Sequence, residues 1–246
     1  MERRIFEIHG EDRHKFLDNL VTNRVPGTAG DISYAALLTP QGKYLSDFFL
    51  IGCHDHILID LDAAQADATI ARLNMYRLRA DVDIRESTLR LGRGLGTAPD
   101  GALEDPRHPD LGWRHYDVVP QENHVNWPAI YVTHLIPQSG TDLISDDSYI
   151  LECGFERLNG VDFKKGCYVG QEVTARMKHK TTLRKGLTRV EGSAPLTSGE
   201  AITRNGKTIG KIGTTHNTEA IAYLRFDQMG DEMMAGHIQI TGQNQT

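Results

Sequence analysis

Asn159-Gly160-Val161-Asp162-Phe163-Lys164-Lys165-Gly166-Cys167-Tyr168-Val169-Gly170-Gln171-Glu172-Val173-Thr174-Ala175-Arg176 is the stretch on which the reading of this chain turns. Cys167 follows a glycine and precedes a short helical pattern over Gln171–Met177. Lys164 and Lys165 lie upstream, and Arg176, Lys178 and Lys180 lie downstream. Positive charge and a nearby helix N-terminus both favour a thiolate. Read locally, Cys167 is either a reactive thiol or a small buried hydrophobe, as most cysteines are. Gly166 and Gly170 permit a sharp backbone path and a close approach by a ligand.

C-terminal to this stretch, from about Leu183, short strands alternate with Gly, Asn and Ser turns. They cover Gly186–Val190, Ala201–Arg204, Lys207–Thr214, Ala220–Leu224 and Ile238–Ile240. Asn205-Gly206 is a strong hairpin signal, because both positions of such a turn want positive φ. The pattern predicts a small β-barrel. N-terminal to the stretch, Ile5, Phe6 and Ile8 form a strand, and Gly10–Leu20 reads as a helix with Phe16, Leu17 and Leu20 on one face. Strands follow at Tyr34–Leu38, Tyr44–Ile51 and Ile57–Leu61, with turns at Thr39–Lys43 and Cys53–His56. Asp62 and Gln65 have capping-box spacing for a helix running to about Tyr76. Val82 and Ile84 then alternate as a strand, and Leu89–Gly92 is expected to continue the sheet. Strand–strand–helix–strand is an α+β, ferredoxin-like order. Residues 92–110 read as a loop and Thr141–Tyr149 as a helix. The expected domains are 1–183 and 184–246.

At 246 residues and 39% hydrophobic, the chain has enough material for a sizeable core. A net charge of −6 argues against a dedicated nucleic-acid binder. No apolar run approaches membrane-spanning length. Met1–Ile5 lacks the apolar segment of a secretory signal. Three cysteines suit a reducing compartment and cannot supply the four thiolates of a cluster held by one protomer. Cys53-His54-Asp55-His56 reads fully as a hairpin turn, since a zinc site needs further ligands. No metal site is therefore expected. Gly92–Thr97 lacks the spacing and the βαβ context of a dinucleotide loop.

Lys165–Glu172 resembles the signature of the YgfZ family, within the GcvT superfamily. Thr174-Ala175-Arg176, Leu183–Leu187, Gly10-Glu11-Asp12, Leu20–Asn23 and Leu37–Lys43 resemble that family too, in the expected order over essentially the whole chain. The resemblance implies an α+β GcvT/YgfZ-like folate-binding unit with a ferredoxin-like element, followed by the small C-terminal β-barrel. It implies tetrahydrofolate or a folate derivative as cofactor. It also implies a role in assembly or repair of iron–sulfur proteins, including [4Fe–4S] tRNA-modifying enzymes. Partners would be iron–sulfur enzymes or cluster carriers, in the cytoplasm, or in the mitochondrial matrix of a eukaryote.

Residue by residue, the resemblance makes Cys167 the functional thiol, with Lys165 and Arg176 acting on it. Glu152 falls at the pterin-binding glutamate, able to accept paired hydrogen bonds. Tyr168, Gln171, Asp47 and Arg184 are the further candidates for binding the cofactor, Arg184 toward the glutamyl carboxylate. Two features depart from the pattern. Cys153 stands where the family has a small residue such as alanine. Ser46-Asp47 stands where aminomethyltransferases carry Asp-Asp, which weakens the reading as a folate-dependent aminomethyltransferase. A folate-sensing scaffold without chemistry is the third reading.

Overall fold

The structure is a computed structural model describing residues 2–119, 124–180 and 182–242. It divides into two compact units, each made of two stretches of chain. The first is Met1–Val125 with Glu156–Val173, and the second is Asn126–Phe155 with Thr174–Thr246. The barrel's first strand begins at Lys185, but residues 126–155 and 174–183 cluster with it as well.

In the first unit the order is β1 (Arg3–His9), α1 (Arg13–Asp18), β2 (Ile32–Leu38), β3 (Tyr44–Gly52), β4 (Ile57–Asp62), α2 (Ala63–Arg77) and β5 (Asp83–Glu86). The strands form an antiparallel sheet in the order β2-β3-β4-β1-β5. The run β5-β1-β4-β3 is the ferredoxin-like element, and β2 extends it at one edge. Alternate residues put Phe6, Ile8, Leu37, Phe48, Leu50 and Ile59 into one core with Phe16, Leu17 and Leu20 of α1 and its end, and Leu73 of α2. Period-2 strands and a 3.6-residue helix each present one apolar face, and burying the two together is what closes this layer.

α1 is shorter than the sequence suggested. Gly10 has φ +102°, and a Cβ there would lie 2.0 Å from the carbonyl oxygen of Asp81. Asp12 accepts a hydrogen bond from the Asp81 N–H at 2.9 Å rather than capping the helix. At α2, Asp62 caps as expected by accepting from Ala64 N at 3.0 Å. Gln65 does not complete a capping box; its Oε1 faces the Tyr44 hydroxyl at 3.1 Å.

The stretch expected to continue the main sheet does not. β6 (Arg90–Gly94) pairs with β8 (Trp113–Asp117), which also pairs with β7 (Leu103–Glu104), giving a separate three-stranded sheet. The indole of Trp113 lies flat against Gly94, where a Cβ would come within 2.5 Å of the ring. β7 and β8 lie in what reads from sequence as loop and weak pattern.

In the second unit, α3 (Trp127–Thr133) is followed by successive turns and not by a helix over Thr141–Tyr149. Asp146, inside that stretch, is left-handed (φ +62°), which no right-handed helix can pass through. The Asp142 carboxylate instead accepts from Gln138 N at 2.8 Å and from Thr214 N and Oγ1 at 2.9 and 2.6 Å. The chain passes from the first unit to the second within α4 (Gln171–Lys180). The side chain of Lys180 lies outside the described residues. The strands β9 (Lys185–Gly192), β10 (Ala201–Arg204), β11 (Lys207–His216), β12 (Glu219–Arg225), β13 (Met233–Ala235) and β14 (Ile238–Gly242) close a barrel in the order β10-β11-β12-β9-β14-β13. Asn205 and Gly206 have φ +51° and +72°, as the hairpin signal required. Closure leaves no edge strand to cap, and β13, three residues long, is too short to register as a pattern.

Candidate functional site

Cys167 is exposed, on the loop between Gly160 and α4. The loop around it is pinned. Thr22 Oγ1 donates to Gly160 O at 2.7 Å, and Asn23 Nδ2 donates to Asn159 O at 2.7 Å. Asp162 pairs with Arg24 at 2.5 Å and accepts from Lys164 N at 2.7 Å. On the other flank, Tyr168 is buried. Gly170 (φ +84°) sits where a Cβ would meet Thr39 O at 2.6 Å and Gly42 Cα at 3.1 Å. The Thr39–Lys43 turn and the signature therefore pack against one another.

The Lys165 ammonium is engaged by the backbone at the end of α1. Its side chain is 2% exposed, and its Nζ donates to the carbonyls of Asp18, Val21 and Asn23 at 2.9, 2.8 and 2.8 Å. The Asp18 carboxylate lies 3.1 Å away, and the Tyr168 ring 5.5 Å away. Burial pulls the lysine's pKa down, against the opposing pull of Asp18. An ammonium has three protons, and the three carbonyls take them. The residue is a clamp between the end of α1 and the signature loop. Of the other thiols, Cys153 is fully buried, and burial with Glu152 beside it pushes its pKa up to about 12. It is an inert core residue.

The sheet face opposite the α1–α2 core is polar and buried. Register aligns Tyr34, Phe49, Asp60 and Ile5 across four strands. Asp47 lies inside β3, 3% exposed, with the hydroxyls of Tyr44 and Tyr34 donating to it at 2.6 and 3.0 Å. Burial and the Asp47 charge hold the Tyr34 phenol protonated. Asp60, fully buried, accepts from Arg3 Nε at 2.6 Å, from the Tyr116 hydroxyl at 2.9 Å and from Arg114 Nη2. Arg114 also reaches Asp105 at 3.1 Å, and Asp105 takes Arg107 through both oxygens at 3.0 and 2.8 Å. The Phe49 ring lies beneath Arg114 at 3.6 Å and Arg107 at 4.8 Å. Burial opposes charge on both Asp60 and Asp105, yet the guanidiniums outweigh it and hold both carboxyls below their usual range, Asp105 at about 2. Three carboxylates and three guanidiniums thus line this face, held by aromatic walls and tyrosine hydroxyls. Of this set the sequence had pointed only to Asp47. The available signal was Asp60 itself, a carboxylate in the apolar run Ile57–Leu61.

In the second unit, Glu152 and Arg184 come together. They line a cavity of about 290 Å³ with Met177, Leu183, Lys185 and Arg225. Glu152 Oε2 accepts from the Tyr223 hydroxyl at 2.5 Å and lies 3.7 Å from Lys185 Nζ. Lys185 in turn sits 5.3 Å from the Tyr223 ring. Burial and Glu152 keep that phenol protonated and donating. Gly186 permits the arrangement, since a Cβ there would lie 2.7 Å from Glu152 O, which accepts from Leu187 N at 2.9 Å. One carboxylate ringed by three cationic side chains suits a ligand with both N–H donors and an acidic group. The volume is at the lower bound for ligand pockets, about 300 Å³. It accommodates part of a folate-sized molecule. Asp47, Lys165, Cys167, Tyr168 and Gln171 belong to the first unit, with Gln171 opening α4.

Comparison with known proteins agrees with this architecture. Residues 184–244 match the family described as CAF17, C-terminal beta-barrel domain. The chain is 29% identical to the human mitochondrial iron–sulfur cluster assembly factor IBA57, over 90% of this chain and 75% of that protein. It is 25% identical to the IBA57 homologue of Pyricularia oryzae, over 95% and 72%. The glycine cleavage system aminomethyltransferase T of Bartonella henselae superposes with a TM-score of 0.76 at 13% identity, over 99% of this chain and 83% of that one. The chain is thus a relative of the IBA57 iron–sulfur cluster assembly factors, built on the aminomethyltransferase fold and ending in a CAF17-type β-barrel.

Proposed function

We propose that this protein is a folate-binding factor in the assembly or repair of iron–sulfur proteins, with Cys167 as its working thiol. The observation that carries the reading is a solvent-exposed cysteine on a loop pinned from both sides, in a relative of iron–sulfur assembly factors. A thiol so placed loses its proton on meeting iron and supplies one ligand. Cys153 is sealed in the core and Cys53 is half-buried, so the remaining ligands of any cluster come from a partner. The partners are iron–sulfur enzymes or cluster carriers, including [4Fe–4S] tRNA-modifying enzymes. The compartment is the one where such assembly runs, the mitochondrial matrix in a eukaryote and the cytoplasm in a bacterium. Among the described residues no helix is long and apolar enough to cross a membrane.

Folate, when bound, supplies a one-carbon carrier. Glu152 accepts its N–H donors, and Arg184, Lys185 and Arg225 neutralise its acidic tail. Asp47 does not serve as an acid here. Its carboxylate is buried and accepts from both Tyr34 and Tyr44, which speaks against an aminomethyltransferase.

The test is complementation of a strain lacking its own counterpart, read as the activity of a [4Fe–4S] enzyme. Cys167→Ala is expected to drop that activity to the deletion background while tetrahydrofolate binding, followed by calorimetry, is unchanged. Glu152→Gln is expected to weaken tetrahydrofolate at least about tenfold, the loss of a charge-assisted hydrogen bond. Full rescue by Cys167→Ala would remove the thiol from the mechanism and leave a scaffold.

A further inference from the structure

At the end of the main sheet, away from the signature loop in sequence, two histidines meet. The register pairs Ile8 of β1 with Ile57 of β4. The next residues outward, His9 and His56, therefore sit side by side across the strand ends. Their rings stack with centroids 5.0 Å apart at 29°. Asp55, one residue before His56, contacts His56 Nδ1 through Oδ1 at 2.7 Å. Glu7, two residues before His9, contacts His9 Nε2 through Oε2 at 3.0 Å. His9, Asp55 and His56 each offer a ligand atom within 4.8 Å of the other two. The turn beneath them is closed by the bond from Cys53 N to His56 O at 3.0 Å. His9 is held between β4 and β5, opposite Asp83.

We propose that His9, His56 and Asp55 form a binding site for a divalent transition-metal ion of the Zn²⁺ class, with Glu7 orienting His9. The Cys53–His56 segment alone looked like a bare turn; the sheet register supplies the ligand that the turn lacks. Ligand bonds of about 2.0–2.2 Å place neighbouring donor atoms on one ion about 3–3.5 Å apart. The existing His56–Asp55 contact needs to open by less than an ångström to reach that spacing. His9 already carries a carboxylate partner outside the ligand set, Glu7 on Nε2, which leaves Nδ1 for the ion and is the arrangement that fixes tautomer and ring orientation in histidine metal sites. Nitrogen and carboxylate oxygen donors suit Zn²⁺. Three protein ligands leave a fourth position for water or for a donor on another molecule. His9 and His56 are half-buried and Asp55 is exposed, so the site is open to an ion from solution.

The test uses the full-length protein and Zn²⁺ by calorimetry, with Co²⁺ absorption as a second probe. Wild type is expected to bind one Zn²⁺ at this site and to give a cobalt d–d spectrum without a sulfur-to-metal band. His9→Ala and His56→Ala are each expected to weaken that binding by at least about tenfold. His54→Ala, in the same turn but outside the cluster, is expected to leave it unchanged. Circular dichroism melts establish that each variant is folded, and Zn²⁺ should raise the Tm of wild type and His54→Ala only. Equal Zn²⁺ affinity in wild type and His9→Ala, or a sulfur-to-cobalt band, would overturn the proposed ligand set. The cobalt spectra are recorded in a Cys167→Ala background, so that the exposed thiol contributes no band and neither result depends on folate or on Cys167.

Discussion

Replacing Arg114 by methionine is expected to destabilise the protein by about 3–5 kcal/mol, the cost of breaking a buried ion pair by removing one partner. That is a large part of the 5–15 kcal/mol that holds a typical domain together. Arg114 is 2% exposed and joins two carboxylates, Asp60 and Asp105, over the face of Phe49. Methionine fills much of the same volume but removes the guanidinium shared by the two carboxylates, leaving Asp60 to Arg3 and Asp105 to Arg107. Adding Asp60→Asn to the variant should recover part of the loss, because it removes a buried carboxylate that has lost one of its two guanidiniums rather than restoring a bond. Urea unfolding at neutral pH, with the double-mutant cycle, measures both effects.

The same pair sets an acid limit on stability. Asp60 and Asp105 have carboxyls depressed in the folded state, Asp105 to about 2. A depressed carboxylate contributes stability above its unfolded pKa and loses it as pH falls through the folded value. Wild-type stability should therefore decline between about pH 4 and pH 2, and the decline should be shallower in Arg114→Met. A wild type equally stable at pH 5 and pH 2 would mean that these charges do not support the fold.

Lys165→Met is the second large effect, expected at about 3 kcal/mol. The substitution keeps an apolar stem but withdraws all three protons from the carbonyls of Asp18, Val21 and Asn23. Unsatisfied buried acceptors cost about 1–3 kcal/mol each, less where water reaches them. Asp18 is the last residue of α1, where carbonyls have no partner within the helix, and Val21 follows just beyond it. Hydrogen exchange should therefore quicken at residues 18–24 and 160–168 together. Arginine will not substitute, since a planar fork cannot aim three donors at one converging set of oxygens. The clamp is distinguishable from a thiol activator by alkylation. Iodoacetamide should label Cys167 at least as fast in Lys165→Met as in wild type, whereas loss of an activating charge would slow it.

Much of the fold was written in local pattern. Alternation of Phe6 and Ile8, or of Leu37, Phe48 and Leu50, names the apolar sheet face because every second residue points the same way. Asn205-Gly206 named its own turn, since few other pairs tolerate positive φ twice. What stayed hidden depends on residues far apart in the chain. Lys165 looked like an activator of Cys167 because the two are neighbours in sequence, while its actual partners lie more than 140 residues earlier. Asp60 and Arg114 are 54 residues apart, and Glu152 and Tyr223 are 71 apart; no periodicity links such pairs. The helix expected over Thr141–Tyr149 failed on a left-handed residue inside it, Asp146, an aspartate whose sequence gives no warning. The separate sheet of β6, β7 and β8 escaped because β7 is two residues long and β8 carries mostly polar side chains, so neither shows an apolar alternation.

The two compact units are interleaved along the chain, and this fixes the order in which the protein can be built. A ribosome delivers residues from the N-terminus at about 5–20 per second. The first unit has its helices and main sheet early, but its clamp arrives 147 residues after Asp18. The carboxylate of Glu152 is made before the strand that carries Tyr223, and waits for it. A nascent chain halted at residue 125 therefore has an unfastened first unit, and one halted at residue 183 has a glutamate without its phenol. The exposed thiol is displayed on a fixed loop only after roughly two-thirds of the protein has been synthesised.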